Sequence, residues 1–301
     1  MSRRRLAGAA TMAAAYALAS ATFLSGCARE QPTRLGGGTP LARAIDRAAD
    51  FLGSHPLGHA ELWFTQQAAF RLGRGFPGWA ATLRASGPPQ WAERVLEGAR
   101  DLPMHRFPPL EAPRVVAVDP SPALSSSPEE ATQEIGVLFF AVEDCAHADA
   151  ASREKLQRML ENETHGYLLA HQAWALAVAV TRGCLTPDQG EALRRSMGLR
   201  ILSELVASQG LTDVDLERMA VLCVLDLCHW VPKDFFDRAI ARQLPSGSWG
   251  SIPSPGVDPS RVSEEHSAAL GFYALASLQA LADLGTKGMG RLSCAGRSAS
   301  P

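Results

Sequence analysis

Apolar residues recur at intervals of three and four along most of the chain from Leu41 onward, the spacing typical of amphipathic helices. Alternation at every second position, which would indicate strands, is nearly absent over any useful length. The pattern therefore predicts an all-α fold. The predicted helices cover residues 41–53, 59–72, 89–101, 129–147, 151–162, 164–182, 187–207, 212–230, 233–243 and 263–284.

Capping residues support two of these helix starts. Ser127 and Pro128 precede one predicted helix, and Thr186 and Pro187 precede another, so that a capping hydroxyl stands before a proline in the first turn. The segment 102–128 between helices is rich in proline and serine. We expect it to be a long irregular excursion, either a lid or a surface loop.

The predicted helices alternate between shorter ones with spaced charges and longer, more apolar ones that open with acids or histidine. His165, Asp213 and His266 stand near the starts of three longer helices, at steps of 48 and 53 residues. A repeat of about 50 residues made of an outer and an inner helix is typical of helical arrays. We expect one helical-repeat domain over residues 41–285, followed by a disordered tail over 286–301.

The amino terminus has a different pattern. Three arginines at positions 3–5 precede an apolar run over residues 6–23, which is typical of a secretory signal. The segment Leu24-Ser25-Gly26-Cys27 then resembles the lipobox of bacterial lipoproteins. That resemblance implies cleavage of a signal peptide over residues 1–26 and attachment of diacylglycerol and a further acyl chain, such as palmitate, at Cys27. An uncleaved membrane-spanning helix is the alternative, because about 18 apolar residues approach the length of a span.

Two or more acyl chains give stable membrane attachment. Ala28 follows the cysteine, where some lipoproteins carry an aspartate linked to retention in the inner membrane, so we expect the outer membrane. Residues 27–40, which include three consecutive glycines at 36–38, predict a flexible tether. The expected partners are therefore membrane lipid through Cys27 and an unidentified ligand or protein of the cell envelope.

The formal charge of the chain bears on whether it binds nucleic acid, and its cysteine content bears on whether it forms disulfides. Removal of residues 1–26 shifts the formal charge from −2 to −5, which excludes a strong electrostatic basis for binding nucleic acid. Five cysteines remain beyond Cys27, so at least one thiol stays free. Cys223 and Cys228 lie five residues apart in a predicted helix, about 140° apart around its axis. We therefore expect them to be small buried side chains and not a disulfide.

A stretch near the carboxyl end resembles one repeat of the α/α-toroid proteins, which include terpenoid cyclases and protein prenyltransferases. It comprises Gln243, Gly247-Ser248-Trp249-Gly250 and, after a proline-rich turn, Glu264-Glu265-His266. The resemblance covers about 45 residues. It implies an α/α-toroid-like barrel in which the tryptophan ring packs under the outer helix. The amino termini of the inner helices then meet at one mouth.

The resemblance to prenyltransferases also implies a zinc site. An Asp-x-Cys pair and a later histidine hold zinc in that family, and Asp226, Cys228 and His266 have these residue types in this order. The interval to His266 is shorter than the family's, and Asp226 and Cys228 point about 200° apart on one helix. Zinc is the one cofactor that the sequence suggests.

Two further sets of residues are candidates for chemistry. Glu163 and His165, with Glu265 and His266, stand at the starts of two inner helices, where they form a candidate general acid–base set. Helix capping by the same acids is the alternative interpretation. Tyr167, His171 and Trp174 share one helical face that suits a sugar or peptide groove, with core packing as the alternative.

The sequence therefore leads to three hypotheses. The first is a lipid-anchored envelope protein whose helical domain binds an envelope ligand. The second is a hydrolase or lyase that acts on envelope polysaccharide or peptide through the His/Glu set. The third is a zinc protein similar to prenyltransferases. Zinc-protease, nucleotide-binding and serine-hydrolase motifs are absent from the sequence.

Overall fold

All secondary structure in the described part of the chain is helical, which confirms the predicted all-α class. The computed structural model describes residues 38–73, 107, 110–113, 138, 141–142, 145, 148–208, 210–252 and 263–287. The signal peptide, Cys27, most of the tether, the predicted helix 89–101, most of 129–147 and Cys294 lie outside these residues. The described helices are α1 (Pro40–Ser54), α2 (His59–Arg71), α3 (Ala150–Glu161), α4 (Gly166–Thr181), α5 (Pro187–Ala207), α6 (Asp213–Val224), α7 (Lys233–Arg242) and α8 (Glu264–Lys287).

Local capping chemistry sets several helix starts. The hydroxyl of Thr39 accepts a hydrogen bond from the N–H of Ala42 at the start of α1. Thr186 and Thr212 each form a capping box with the residue three positions later, Gln189 and Asp215, at the starts of α5 and α6. Helix α1 begins at Pro40, the last residue of the predicted tether, and α8 extends to Lys287, two residues into the predicted tail.

The prediction of one helix over residues 212–230 was wrong. Helix α6 ends at Val224, and Asp226 adopts a left-handed conformation with a φ of 58° before a short 3-10 helix over Cys228–Trp230. This turn brings the Cα atoms of Cys223 and Cys228 to 4.0 Å, and the two form a disulfide. Cys145 and Cys184 form a second disulfide. The expectation that Cys223 and Cys228 stay unpaired was also wrong.

The described helices differ in how completely they are buried. Every residue of α6 is buried, and twelve residues of α4 are buried, whereas α3 buries only Leu156 and Leu160. Helix α7 buries only Phe235, Phe236 and Ala239. Helix α8 packs against α1, α2 and α6, and α4 packs against α5 and α6. Four aromatic side chains from α2, α4 and α8 fill the centre between these helices, namely Trp63, Phe64, Trp174 and Tyr273.

The Gln243-to-Gly250 segment joins the two ends of the domain. The guanidinium of Arg47 in α1 donates to the side-chain oxygen of Gln243, at 2.6 and 3.1 Å, and the amide of Gln243 donates to the carbonyl of Ala44. The indole N–H of Trp249 donates to the carbonyl of Ala239 in α7 at 2.7 Å. Its ring lies so close to Gly271 of α8 that a Cβ there would come within 2.7 Å of it. The resemblance to toroid proteins stays a prediction.

No helix among the described residues is long and apolar enough to cross a membrane.

Candidate functional site

His266, in the first turn of α8, links three helices. Its Nδ1 lies 3.0 Å from a carboxylate oxygen of Glu61 in α2. Its Nε2 lies 3.8 Å from Oδ2 of Asp213, the first residue of α6. The His266 side chain is 23% exposed, and that of Asp213 only 1%. The imidazole is therefore partly exposed to solvent, and its contacts with Glu61 and Asp213 fix its position.

Asp213 is the centre of this arrangement. Its Oδ2 accepts a hydrogen bond from the hydroxyl of Tyr167 in α4 at 2.6 Å, and its Oδ1 accepts one from Ser267 in α8 at 2.8 Å. Tyr167 follows Gly166, whose φ of 57° turns the chain as it enters α4. The first turns of α2, α4, α6 and α8 thus contribute side chains to one site.

A second carboxyl lies one helical turn below Asp213. Oε1 of Glu217 is 3.1 Å from Nδ1 of His171, which also lies 2.8 Å from the carbonyl oxygen of Tyr167. Because a carbonyl can only accept, Nδ1 of His171 carries the proton. Glu217 is 3% exposed, and its Oε2 has no hydrogen-bond partner in the described part of the chain. We call the whole set the polar cluster: Glu61, Tyr167, His171, Asp213, Glu217, His266 and Ser267.

The protonation states within the polar cluster diverge. Burial raises the pKa of Glu217 to about 8, although the charge of His266 opposes this shift. Burial lowers the pKa of His171 to about 4. Burial also disfavours the charged form of His266, but the hydrogen bond to Glu61 and the charges of Asp213, Glu217 and Glu61 outweigh it and raise its pKa to about 9. Near pH 7 the cluster therefore holds a neutral carboxylic acid, a neutral imidazole and an imidazolium.

His165 belongs to a neighbouring network. Its Nδ1 lies 3.0 Å from Glu204 of α5, and Glu204 also accepts the N–H of Gly166 at 3.1 Å and a guanidinium N–H of Arg218 at 2.7 Å. Arg218 binds Asp215 at 2.9 Å as well. This network therefore fixes the start of α4, next to Tyr167.

The two predicted catalytic histidines belong to different networks, whereas the two predicted catalytic glutamates belong to neither. Glu163 is exposed and Glu265 half-buried, and among the described hydrogen bonds neither contacts a histidine. The carboxylate partners of His165 and His266 are instead Glu204 and Glu61. Sequence reasoning missed Glu217. The signal that could have found it is its spacing of four residues from Asp213, which places the two carboxyl groups on one face of α6.

The face formed by Tyr167, His171 and Trp174 runs from the polar cluster into the core. The ring of Trp174 is 7% exposed and lies 4.8 Å from that of Trp63 and 5.1 Å from that of Phe64, measured between centroids. Tyr167 is half-buried at the cluster. Only the part of this face that lies at the polar cluster is therefore placed to contact a ligand.

The structure does not assemble the residues of the predicted zinc site. Cys228 is bonded to Cys223, and Asp226 lies 3.7 Å from the guanidinium of Arg71, whereas His266 is held by Glu61 and Asp213. A disulfide sulfur is not a thiolate ligand. No group of three or more histidine, cysteine or acidic side chains among the described residues has the arrangement of a metal site.

Comparison of the chain with family models, curated proteins and solved structures finds no match.

Proposed function

We propose that this protein is a lipid-anchored enzyme of the bacterial cell envelope, attached to the outer membrane through Cys27. Its helical domain binds an envelope polysaccharide or peptide at the polar cluster and cleaves it by acid–base catalysis, as a hydrolase or lyase. The supporting observation is that four helices bring a neutral carboxylic acid, a second carboxyl group and an imidazolium into one partly exposed site. Titratable groups with diverging pKa values are the arrangement that acid–base catalysis requires.

The contacts of the polar cluster suggest roles for four of its residues. Glu61 fixes the ring of His266 through Nδ1, so that Nε2 is the atom available for proton transfer. In its cationic form His266 serves as the general acid and donates the Nε2 proton to a leaving group. Asp213 lies beside it and, together with Tyr167, positions the substrate next to the imidazole.

The alternative function is ligand binding without catalysis, which would use the same lipid anchor and the same polar cluster. The diverging pKa values favour the enzyme, because binding alone needs no carboxylic acid that is still neutral near pH 7. Trp174 is also packed in the core, so the aromatic surface that is available to bind a ligand is smaller than the sequence predicts.

Activity is tested with the purified full chain and bacterial cell-wall polysaccharide and peptidoglycan as probes, and the released fragments are quantified by mass spectrometry. We expect His266→Gln to lower the rate of release by about 100-fold or more, the size typical of losing a general acid. Tyr167→Phe is expected to lower it by a smaller factor. Glu154→Gln, at an exposed position of α3, is the matched control and should leave the rate unchanged.

A His266→Gln variant that releases fragments at the unaltered rate would remove His266 from the mechanism. If the unaltered chain binds either polymer without releasing fragments, the domain is a binding module and the catalytic part of the proposal is wrong.

The anchor is tested by changing Cys27 to alanine. We expect the variant to keep its signal peptide and to lose metabolic labelling by a palmitate analogue. Intact mass and labelling measure these two properties, and cell fractionation shows whether the chain stays with the membrane. A Cys27→Ala chain that stays membrane-bound with an unchanged mass would refute lipid attachment at this position.

A further inference from the structure

The residue that precedes α2, Gly58, carries no capping side chain. It stands at the N-cap position and makes no side-chain hydrogen bond to the first turn. Glycine is accepted at this position, but serine, aspartate and asparagine stabilise a helix start more. The φ of −73° and the ψ of −179° place Gly58 in the extended region, which any residue can adopt. The backbone of residue 58 therefore does not require glycine.

The space next to Gly58 holds the carboxyl group of Glu61. A Cβ at residue 58 would overlap Oε2 of Glu61 and would lie 3.4 Å from its carboxyl carbon. The overlapping atom is the end of a flexible side chain, so an alanine would displace the carboxyl group and leave the backbone of α2 in place. The other oxygen, Oε1, lies 3.0 Å from Nδ1 of His266. The carboxyl group of Glu61 is therefore held between the start of α2 and the imidazole.

The contact between Glu61 and His266 affects both the orientation and the protonation of the imidazole. Because Glu61 engages Nδ1, Nε2 is the nitrogen left for proton transfer, 3.8 Å from Oδ2 of Asp213. Burial disfavours the charged ring, but the hydrogen bond to Glu61 and the charges of Asp213, Glu217 and Glu61 raise the pKa of His266 to about 9. If the Glu61 contact were lost, only the two acids of α6 would still favour the charged form.

We propose that Gly58 is a positioning residue of the polar cluster, because only a residue without a side chain leaves room for Glu61 to hold the imidazole of His266. The inference rests on the proposed function, in which His266 is the general acid. Gly58 acts through Glu61 and has no side chain that could contact the substrate. A role in capping alone gives a different expectation, since serine would then replace Gly58 without loss.

The pKa of His266 tests this role without any substrate. Nuclear magnetic resonance of the purified full chain, labelled at histidine, follows the titration of His266, whose signal is assigned by its loss in His266→Gln. We expect a pKa of about 9 in the unaltered chain and a fall towards 6.5 in both Gly58→Ala and Gly58→Ser. Gly210→Ala is the matched control, because a Cβ at residue 210 meets nothing within 4 Å. An unchanged pKa in either Gly58 variant would overturn the proposal.

A double variant shows whether Gly58 acts through Glu61. In a Glu61→Ala chain the carboxyl group is already absent, so adding Gly58→Ala should leave the pKa of His266 where Glu61→Ala puts it. We also expect Glu61→Ala alone to lower that pKa at least as far as Gly58→Ala does. A further fall in the double variant would contradict the proposal, because Gly58 would then act by another route.

The rate of fragment release from cell-wall polymer separates this inference from the proposed function. At pH 8 we expect Gly58→Ala to release fragments up to about 30-fold more slowly, the ratio of protonated fractions for pKa values of 9 and 6.5. The deficit should shrink as the pH falls, since His266 is then protonated in both chains. Equal rates at pH 8, or a deficit that is the same at every pH, would overturn the inference. If the pKa falls in Gly58→Ala but the unaltered chain releases no fragments, the proposed function is wrong and the positioning of His266 stands.

Discussion

A Trp174→Ala variant is expected to lose about 3–5 kcal/mol of free energy of unfolding, the range typical of removing a buried aromatic ring. Trp174 is 7% exposed, and its ring packs against those of Trp63 and Phe64. Alanine would leave a cavity that these two rings, held in α2, can fill only in part. Urea unfolding followed by circular dichroism measures the loss.

Phe70→Ala is the matched control, because this aromatic residue, also on the helical scaffold, is 55% exposed. Its free energy of unfolding should change by no more than about 0.5 kcal/mol. A Trp174→Ala variant that is as stable as the control but no longer binds cell-wall polymer would restore Trp174 to a ligand groove, which is one of the two interpretations that the sequence allows.

The free energy of unfolding is expected to fall steeply as the pH rises from about 6.5 to about 9. His266 has a pKa raised from 6.5 to about 9, so its stabilising contribution is full below pH 6.5 and is lost as the pH passes through 9. Glu217 has a pKa raised from 4.5 to about 8, so the folded state holds its proton where the unfolded state has lost it. Each such group lowers stability by about 1.4 kcal/mol per pH unit within its window.

Below pH 6.5 two groups oppose each other. His171 has a pKa lowered from 6.5 to about 4, so it destabilises the folded state as the pH falls through this range. Glu217 has the opposite effect, because its contribution to the free energy of unfolding decreases as the pH rises above 4.5. We therefore expect the contribution of the polar cluster to be nearly flat between pH 4.5 and 6.5.

A series of urea unfolding curves between pH 4.5 and 9 measures both the flat part of the pH profile below pH 6.5 and the fall in stability above it. Glu217→Gln should make the fall above pH 6.5 shallower and turn the flat segment into a rise with pH. Glu154→Gln, exposed on α3, should leave the profile unchanged. A Glu217→Gln profile identical to that of the unaltered chain would mean that Glu217 has an ordinary pKa.

Helices whose ends depend on local chemistry could be predicted from the sequence. The capping hydroxyls of Thr186 and Thr212 lie next to the helices that they start, and α5 begins and ends where the pattern predicts. The end of α6 could not be predicted, because the apolar pattern continues through Asp226 although the backbone turns there. The disulfide that this turn permits was missed for the same reason.

The candidate site was predictable only in part. His266 and Tyr167 stand out from the sequence because polar side chains near helix starts are expected at the mouth of a helical array. Their partners are decided by tertiary packing: Glu61 lies 205 residues before His266, and Asp213 lies 46 residues after Tyr167. Glu217 resembles any solvated carboxylate in the sequence, and only its burial in α6 reveals the raised pKa.

The contacts of α8 with α1 and α2 have a consequence for the order of events in synthesis. The Glu61–His266 contact joins residues 205 apart, and at about 5–20 residues per second the second partner is made about 10–40 s after the first. Until then the buried faces of α1 and α2 have no α8 to cover them. The native packing of α1 and α2 therefore forms only after α8 has been synthesised.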